Sequence, residues 1–172
     1  SNLSRWSVSS WFRINSFSNT DPVIAKFVNI SAGANAAFQV HSGGSTTVFR
    51  YYDGSSSYDA GSVSLNTWYH YVCTGDGTNV RQYVNGVLIN TSASNIAQGA
   101  IAYIGWYSSS VHYWPGDLDE ILIYNRTLSA TEVQQLYAQP FCFMQPRRGQ
   151  VLSFSTGAPP PPSTFVFIGN YF

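Results

Sequence analysis

Charge is scarce in this chain: eight Lys and Arg balance eight Asp and Glu, and together they make up only 9% of the 172 residues, against a typical quarter. A protein that tracks a phosphate backbone needs a concentrated basic stripe. The one adjacent basic pair, Arg147 and Arg148, is too small for that, so nucleic-acid binding is not expected. Glutamate is scarcer still, with Glu120 and Glu132 its two occurrences, which leaves little material for paired-carboxylate chemistry. Cysteine occurs at Cys73 and Cys142. Cys73 alternates with Tyr69 and Tyr71 in a strand-like run, the setting of a buried free thiol rather than a bridge. No run approaches the roughly 18 apolar residues of a bilayer span, and no basic n-region followed by an apolar stretch opens the chain. Neither membrane insertion nor a secretory leader is expected.

Aromatic residues, at 16%, are abundant, and they come with Ser, Thr, Asn and Gly rather than Lys and Glu. Such a surface suits an extracellular, cell-surface or virion setting. Short alternating runs recur along the chain: WSVSSWFRI, VIAKFVNI, AAFQVHS, TTVFRYYD, the stretch WYHYVCTGDGTNVRQYVNGVLIN, AIAYIGWY and DLDEILIYN. Asp76-Gly77 and Asn85-Gly86 fold the middle stretch into a three-strand meander, because these dipeptides tolerate the positive φ of tight hairpin turns. Period-2 alternation places Val80, Gln82 and Val84 on one face of its central strand and Arg81 and Tyr83 on the other. Gly43-Gly44, Asp53-Gly54 and Gly61 supply further turns. Strands at this spacing predict an all-β, two-sheet antiparallel jelly-roll sandwich.

One segment breaks the pattern. LSATEVQQLYA predicts a short C-terminal helix with Ser129 as N-cap, Glu132 completing a capping box, and Leu128 and Val133 as a hydrophobic staple. The sandwich is expected to occupy residues 1–138, and residues 139–172 a Pro-rich extended tail that runs through GAPPPPS to the uncharged end TFVFIGNYF.

Several motifs then occur in order: Trp68 and His70 as W-x-H, Asp76-Gly77, YVNG at Tyr83 to Gly86, YIG at Tyr103 to Gly105, and GDLDEILIYNRTLSATEV from Gly116 to Val133. Over residues 4–138 the chain resembles a laminin-G-like domain of the concanavalin A-like lectin/glucanase superfamily, of the kind found in phage and bacterial surface proteins. The resemblance implies a non-catalytic recognition or adhesion module, with Trp114 as a buried aromatic and His70 as a hydrogen-bonded core imidazole. It also implies a strand ahead of NLSRWSVSSWF that is missing here. Some relatives hold calcium near the Asp of this last strand with further oxygen ligands from the first strand, which makes Asp119 the candidate calcium ligand; alone it cannot supply the six to eight oxygens calcium takes, so no cofactor is expected. The alternative role is a structural or assembly subunit of a phage particle or surface appendage.

Retaining glycoside hydrolases need two carboxylates about 5 Å apart. Strand alternation separates Asp117 and Asp119 from Glu120, and Glu132 is taken by the helix cap, so no catalytic residue is expected. Asp119 is expected instead to accept hydrogen bonds from loop backbone. Aromatic faces complement the C–H faces of a pyranose, so a glycan or polysaccharide is the expected partner. The candidate ligand-binding residues are Trp106, Tyr107, His112 and Tyr113 in the loop GWYSSSVHYWPG, with Tyr51 and Tyr58 in a second cluster around YYDGSSSYDAG. Phe165, Phe167, Tyr171 and Phe172 are the candidate assembly residues, through which the tail would add a strand to a neighbouring subunit.

Overall fold

The computed structural model describes residues 4–17, 22–28, 35–43, 46–94, 101–105 and 113–140, all within a compact unit spanning Ser1–Pro140. Among them lie ten strands: β1 (Trp6–Ile14), β2 (Val23–Val28), β3 (Asn35–Gly43), β4 (Thr46–Tyr52), β5 (Ser57–Ser62), β6 (Trp68–Gly75), β7 (Asn79–Val84), β8 (Val87–Ala93), β9 (Ile101–Ile104) and β10 (Gly116–Tyr124). One helix, α1 (Ala130–Ala138), follows. The strands form two five-stranded antiparallel sheets, β10-β1-β6-β7-β8 and β5-β4-β3-β2-β9, which pack as a jelly-roll sandwich. The predicted meander is β6-β7-β8. Its second turn carries Asn85 at φ 50° and Gly86 at φ 78°, the doubly positive pattern of a type I′ hairpin.

Alternation along the strands decides what lies between the sheets. Trp6, Val8, Phe12 and Ile14 of β1 point inward with Tyr71 and Cys73 of β6, and meet Phe38, Phe49 and Tyr51 of the second sheet. Phe38 stacks on Tyr71 at 4.4 Å between ring centroids, and Phe12 meets Phe49 at 5.8 Å. Each ring buried this way contributes on the order of 2 kcal/mol. Gln82 is also buried here, satisfied by the Tyr71 hydroxyl, which donates to its Oε1, and by its own donation to the Tyr58 carbonyl. Cys73 is a buried free thiol, as expected, and burial raises its pKa.

The opposite face of the first sheet is not left to water. Ser7, Ser9, Trp11, His70, Val72 and Tyr83 point outward by alternation, yet most are buried beneath α1 and the segment leading into it. The Leu128 N–H donates to Ser7 Oγ at 2.9 Å, Thr127 Oγ1 donates to the Gly75 carbonyl, and Tyr137 stacks on Trp11 at 5.6 Å. The capping box forms as predicted, with the Glu132 N–H donating to Ser129 Oγ and the Ser129 N–H to Glu132 Oε2, and Leu128 and Val133 are buried.

Two local expectations are corrected. SYDAGS, expected as part of a turn region, is strand β5, and Gly61 lies inside it at φ 59° rather than in a turn. Glu120 does not simply alternate with Asp119. The register against β1 slips by one residue between Ser9 and Trp11, and Glu120 is the extra residue, at φ 47°. That position of a β-bulge usually holds glycine.

Candidate functional site

Tyr51 and Tyr58 lie at one end of the sandwich and Tyr113 at the other. Tyr51 packs against Trp6 at the start of β1, at 5.4 Å. The loop between β9 and β10 closes at the other end of that strand, where the Asn15 N–H donates to the Pro115 carbonyl and Ile14 pairs with Gly116. Eight strand steps of about 3.3 Å along β1 separate these two ends by roughly 25 Å. Tyr51 and Tyr113 therefore cannot share one small ligand.

Tyr51 is removed from the candidate binding residues. Its side chain is 0% exposed, because it shares a strand face with Phe49, and burial, the leading cause, raises its phenol pKa. Tyr58 is half-buried, stacks on Tyr51 at 6.0 Å, and donates its hydroxyl to Asp53 Oδ2 and to the Ala93 carbonyl. Asp53 is itself buried and accepts from the N–H groups of Ser55 and Ser56 and from Ser94 Oγ. This cluster fastens the β4–β5 turn to the edge of the other sheet.

The second end is built differently. The Trp114 N–H donates to the Gly105 carbonyl at 2.8 Å and closes the base of the loop. Trp114, as expected, enters the core, edge-on to Phe12 at 5.0 Å, with Nε1 donating to the Asp117 carbonyl. Tyr113, one residue earlier, is 45% exposed. Trp106, Tyr107 and His112 lie outside the described residues, as do the tail residues Phe165, Phe167, Tyr171 and Phe172.

Sequence reasoning missed Trp68. It was read only as part of the W-x-H motif, yet it opens β6 on the face opposite Tyr69 and Tyr71, and it is 41% exposed. Arg13 pairs with Trp68 on one side and Asp117 on the other, so Trp68, Arg13 and Asp117 form one row across three neighbouring strands. The Arg13 guanidinium lies over the Trp68 ring at 5.5 Å, while Nε and Nη2 both contact Asp117 Oδ2, at 2.8 and 2.7 Å. Leu65 is exposed nearby in sequence. The signal was available: strand parity that sends Tyr69, Tyr71 and Cys73 inward sends Trp68 outward.

Among the described residues the carboxylates do not assemble a pair for catalysis. Asp117 is held by Arg13, and Glu132 is held by Arg126 and the helix cap, which bring its pKa down to about 2. Asp119 is exposed and accepts the N–H of its neighbour Glu120 at 2.8 Å. The expected loop-backbone contact is thus a contact within its own strand. Burial, and then the Asp119 charge, raise the Glu120 pKa. Among the described residues no three His, Cys, Asp or Glu side chains gather as a metal site. His70 is the core imidazole expected: it shares a hydrogen bond with Ser9 Oγ at 2.8 Å. Its Nδ1 has no partner among the described residues, and Ser9 is buried. A serine that substrate cannot reach, beside an unoriented imidazole, is not a nucleophile pair.

A family profile for the concanavalin A-like lectin/glucanases superfamily, in its laminin-G form, matches residues 1–134. The chain belongs to that superfamily. No curated protein sequence matches this laminin-G-like chain, but solved structures share its fold. A Bacteroides ovatus protein assigned to carbohydrate binding aligns at TM-score 0.66 and 16% identity, over 78% of this chain and 41% of that one. A heptameric SAP-like pentraxin from Limulus polyphemus aligns at 0.60 and 18% identity, over 78% and 70%. Domain 4 of AbnA, an extracellular arabinanase of Geobacillus stearothermophilus solved with arabinotriose, aligns at 0.57 and 18% identity, over 80% and 68%. The laminin-G-like chain spans less than half the length of the first. At these identities the likeness establishes the lectin-like fold.

Proposed function

We propose that this laminin-G-like domain is a non-catalytic carbohydrate-recognition module acting in an extracellular, cell-surface or virion setting. The observation that carries the reading is the concentration of exposed aromatic surface at one end of the sandwich: Trp68 and Tyr113 flank the base from which the loop containing Trp106, Tyr107 and His112 emerges. Flat aromatic faces with polar neighbours suit sugar rings. The carbohydrate-binding role assigned to the Bacteroides ovatus protein and the arabinotriose in domain 4 of the arabinanase support the same ligand class. Catalysis is disfavoured because Asp117 and Glu132 are engaged elsewhere and Asp119 and Glu120 are adjacent in sequence.

A glycan array probed with the purified chain is expected to return a consistent set of bound glycans, with no reducing sugar released on prolonged incubation. No binding across the array would refute the recognition reading. Sugar release abolished by Asp119→Asn in a folded protein would refute the non-catalytic one.

A second reading, a structural or assembly subunit, is favoured by the edge strand β8. Val87 and Leu88 are exposed there, and the strand carries no charge or proline to deter pairing with another chain. Self-association measured by light scattering, lost on Leu88→Lys, is the result expected under that reading.

A further inference from the structure

Resting on the carbohydrate-recognition reading, we infer that the Trp68–Arg13–Asp117 row is a stacking platform for a neutral sugar, and that this domain discriminates against sialylated and uronate-containing glycans. The platform is preorganised. Arg13 lies over one face of the indole and is held by Asp117, which limits the ring orientations that a ligand would otherwise have to freeze out. Among the described residues Trp68 makes no other ring contact, and the 41% of its surface that stays exposed is what it offers to a pyranose. Polar groups for hydroxyls stand beside it. The guanidinium engages Oδ2 of Asp117 and leaves Oδ1, and Asp119 lies two residues along the same strand, on the partner position of Trp11.

The charge balance sets the class of sugar. Among the described residues, those beside the row are Asp117, Asp119 and Glu120 on β10 against the cation Arg13, which is already paired. A sialate or uronate carboxylate brought here meets like charge without a free guanidinium to receive it, and like-charge contact at a recognition surface excludes partners strongly. The other described guanidiniums do not relieve this. Those of Arg50, Arg81 and Arg126 are bound to Asp59, Asp76 and Glu132, and Arg5 precedes β1 at the opposite end of the sandwich.

The test is a glycan array on the intact chain, followed by titration calorimetry of its best ligand with wild type, Trp68→Ala and Trp68→Phe, each checked for an unchanged melting temperature. Bound glycans are expected to be neutral. Trp68→Ala is expected to weaken binding about fivefold or more, with Trp68→Phe retaining most of the affinity. Affinity is expected to stay constant between about 0.1 and 1 M salt, since no net ion pair forms. Preference for sialylated or uronate glycans overturns the inference, as does unchanged affinity in a folded Trp68→Ala. In the second case, loss of binding in Trp106→Ala would leave the recognition reading standing while this site falls. Absence of any glycan binding by wild type refutes both.

Discussion

Acidification tests the burial of His70, and the structure sets the sign of the effect. The imidazole is 1% exposed, bonded to Ser9, and packed beside Trp11 at 5.3 Å and Tyr137 at 6.1 Å. Desolvation lowers its pKa from 6.5 to about 4, since a cation there would lose water without gaining a carboxylate. The unfolded chain takes up this proton near the ordinary histidine value, the folded chain only near the lowered one. Between those values the unfolded state binds more protons, so stability is complete above the unfolded pKa and is lost as pH falls toward the folded one. Over that window, at about 1.36 kcal/mol per pH unit, the loss is on the order of 3 kcal/mol, a large share of a domain stability of about 5 to 15 kcal/mol. Urea unfolding of wild type and His70→Gln at several values between about pH 7 and pH 4 measures it. Gln retains a donor for Ser9 but cannot ionise. The difference between the two proteins cancels other groups, including Asp76 and Glu132, whose pKa values near 2 move their own effect to lower pH. Wild type should lose stability faster than His70→Gln through this window. Parallel curves would refute the assignment of His70 as a buried neutral imidazole.

Three further outcomes follow from local geometry. Gly116→Ala places a Cβ 2.0 Å from the Arg13 carbonyl oxygen, forcing β10 off β1, and should cost about 2 kcal/mol or more in chemical denaturation; an unchanged midpoint would show that the strands yield freely. Glu120→Gly relieves a left-handed backbone at φ 47° and should raise stability by up to about 1 kcal/mol, whereas Glu120→Val should lower it; the opposite order in thermal melts would contradict the strain. Ser129→Ala removes the acceptor of the Glu132 N–H and should cost about 1 kcal/mol, read as a lower melting temperature; no change would mean the cap is redundant with the packing of Leu128 and Val133.

Most of the sandwich was readable because its strands alternate apolar and polar residues, and a strand with one buried face cannot slip register without exposing that face. Strand β1 is found over the very residues WSVSSWFRI. Strand β5 was not readable because SYDAGS buries only Ala60 fully. What holds it is pairing with β4, the Arg50–Asp59 ion pair and the donation of Asn90 Nδ2 to the Asp59 carbonyl. The Asn90 contact comes from 31 residues away, and the rest is a hairpin with no apolar alternation to announce it. Tyr51 and Trp68 were misread for a common reason. Both were weighed by residue type and neighbourhood, when parity with Phe49 would have buried the first and parity against Tyr69 would have exposed the second. The Glu120 bulge had no local signal, since glutamate is an uncommon choice for a left-handed position.

The two ends of the sandwich divide the polar chemistry unevenly, and this bears on where recognition can occur. At the end holding Asp53 and Asp76, turn carboxylates are consumed internally: Asp76 accepts from the N–H groups of Thr78 and Asn79 and from Arg81, and Asp53 accepts from two N–H groups and two hydroxyls. A ligand there would have to break bonds already made, and losing a buried partner costs more than a surface hydrogen bond returns. At the other end the backbone is pinned by Asn15, Asn66 and Trp114 N–H groups donating to carbonyls, while Leu65, Trp68, Val87, Leu88, Tyr113 and Tyr137 keep apolar surface in water. Covering such surface is favourable at roughly 25 cal/mol per Å², and the rigid base means little ordering is needed to do so. Both proposed roles, glycan recognition through Trp68 and strand pairing along β8, therefore draw on the same end of the domain, and an occupied glycan site would compete with any assembly contact that reached across to Trp68.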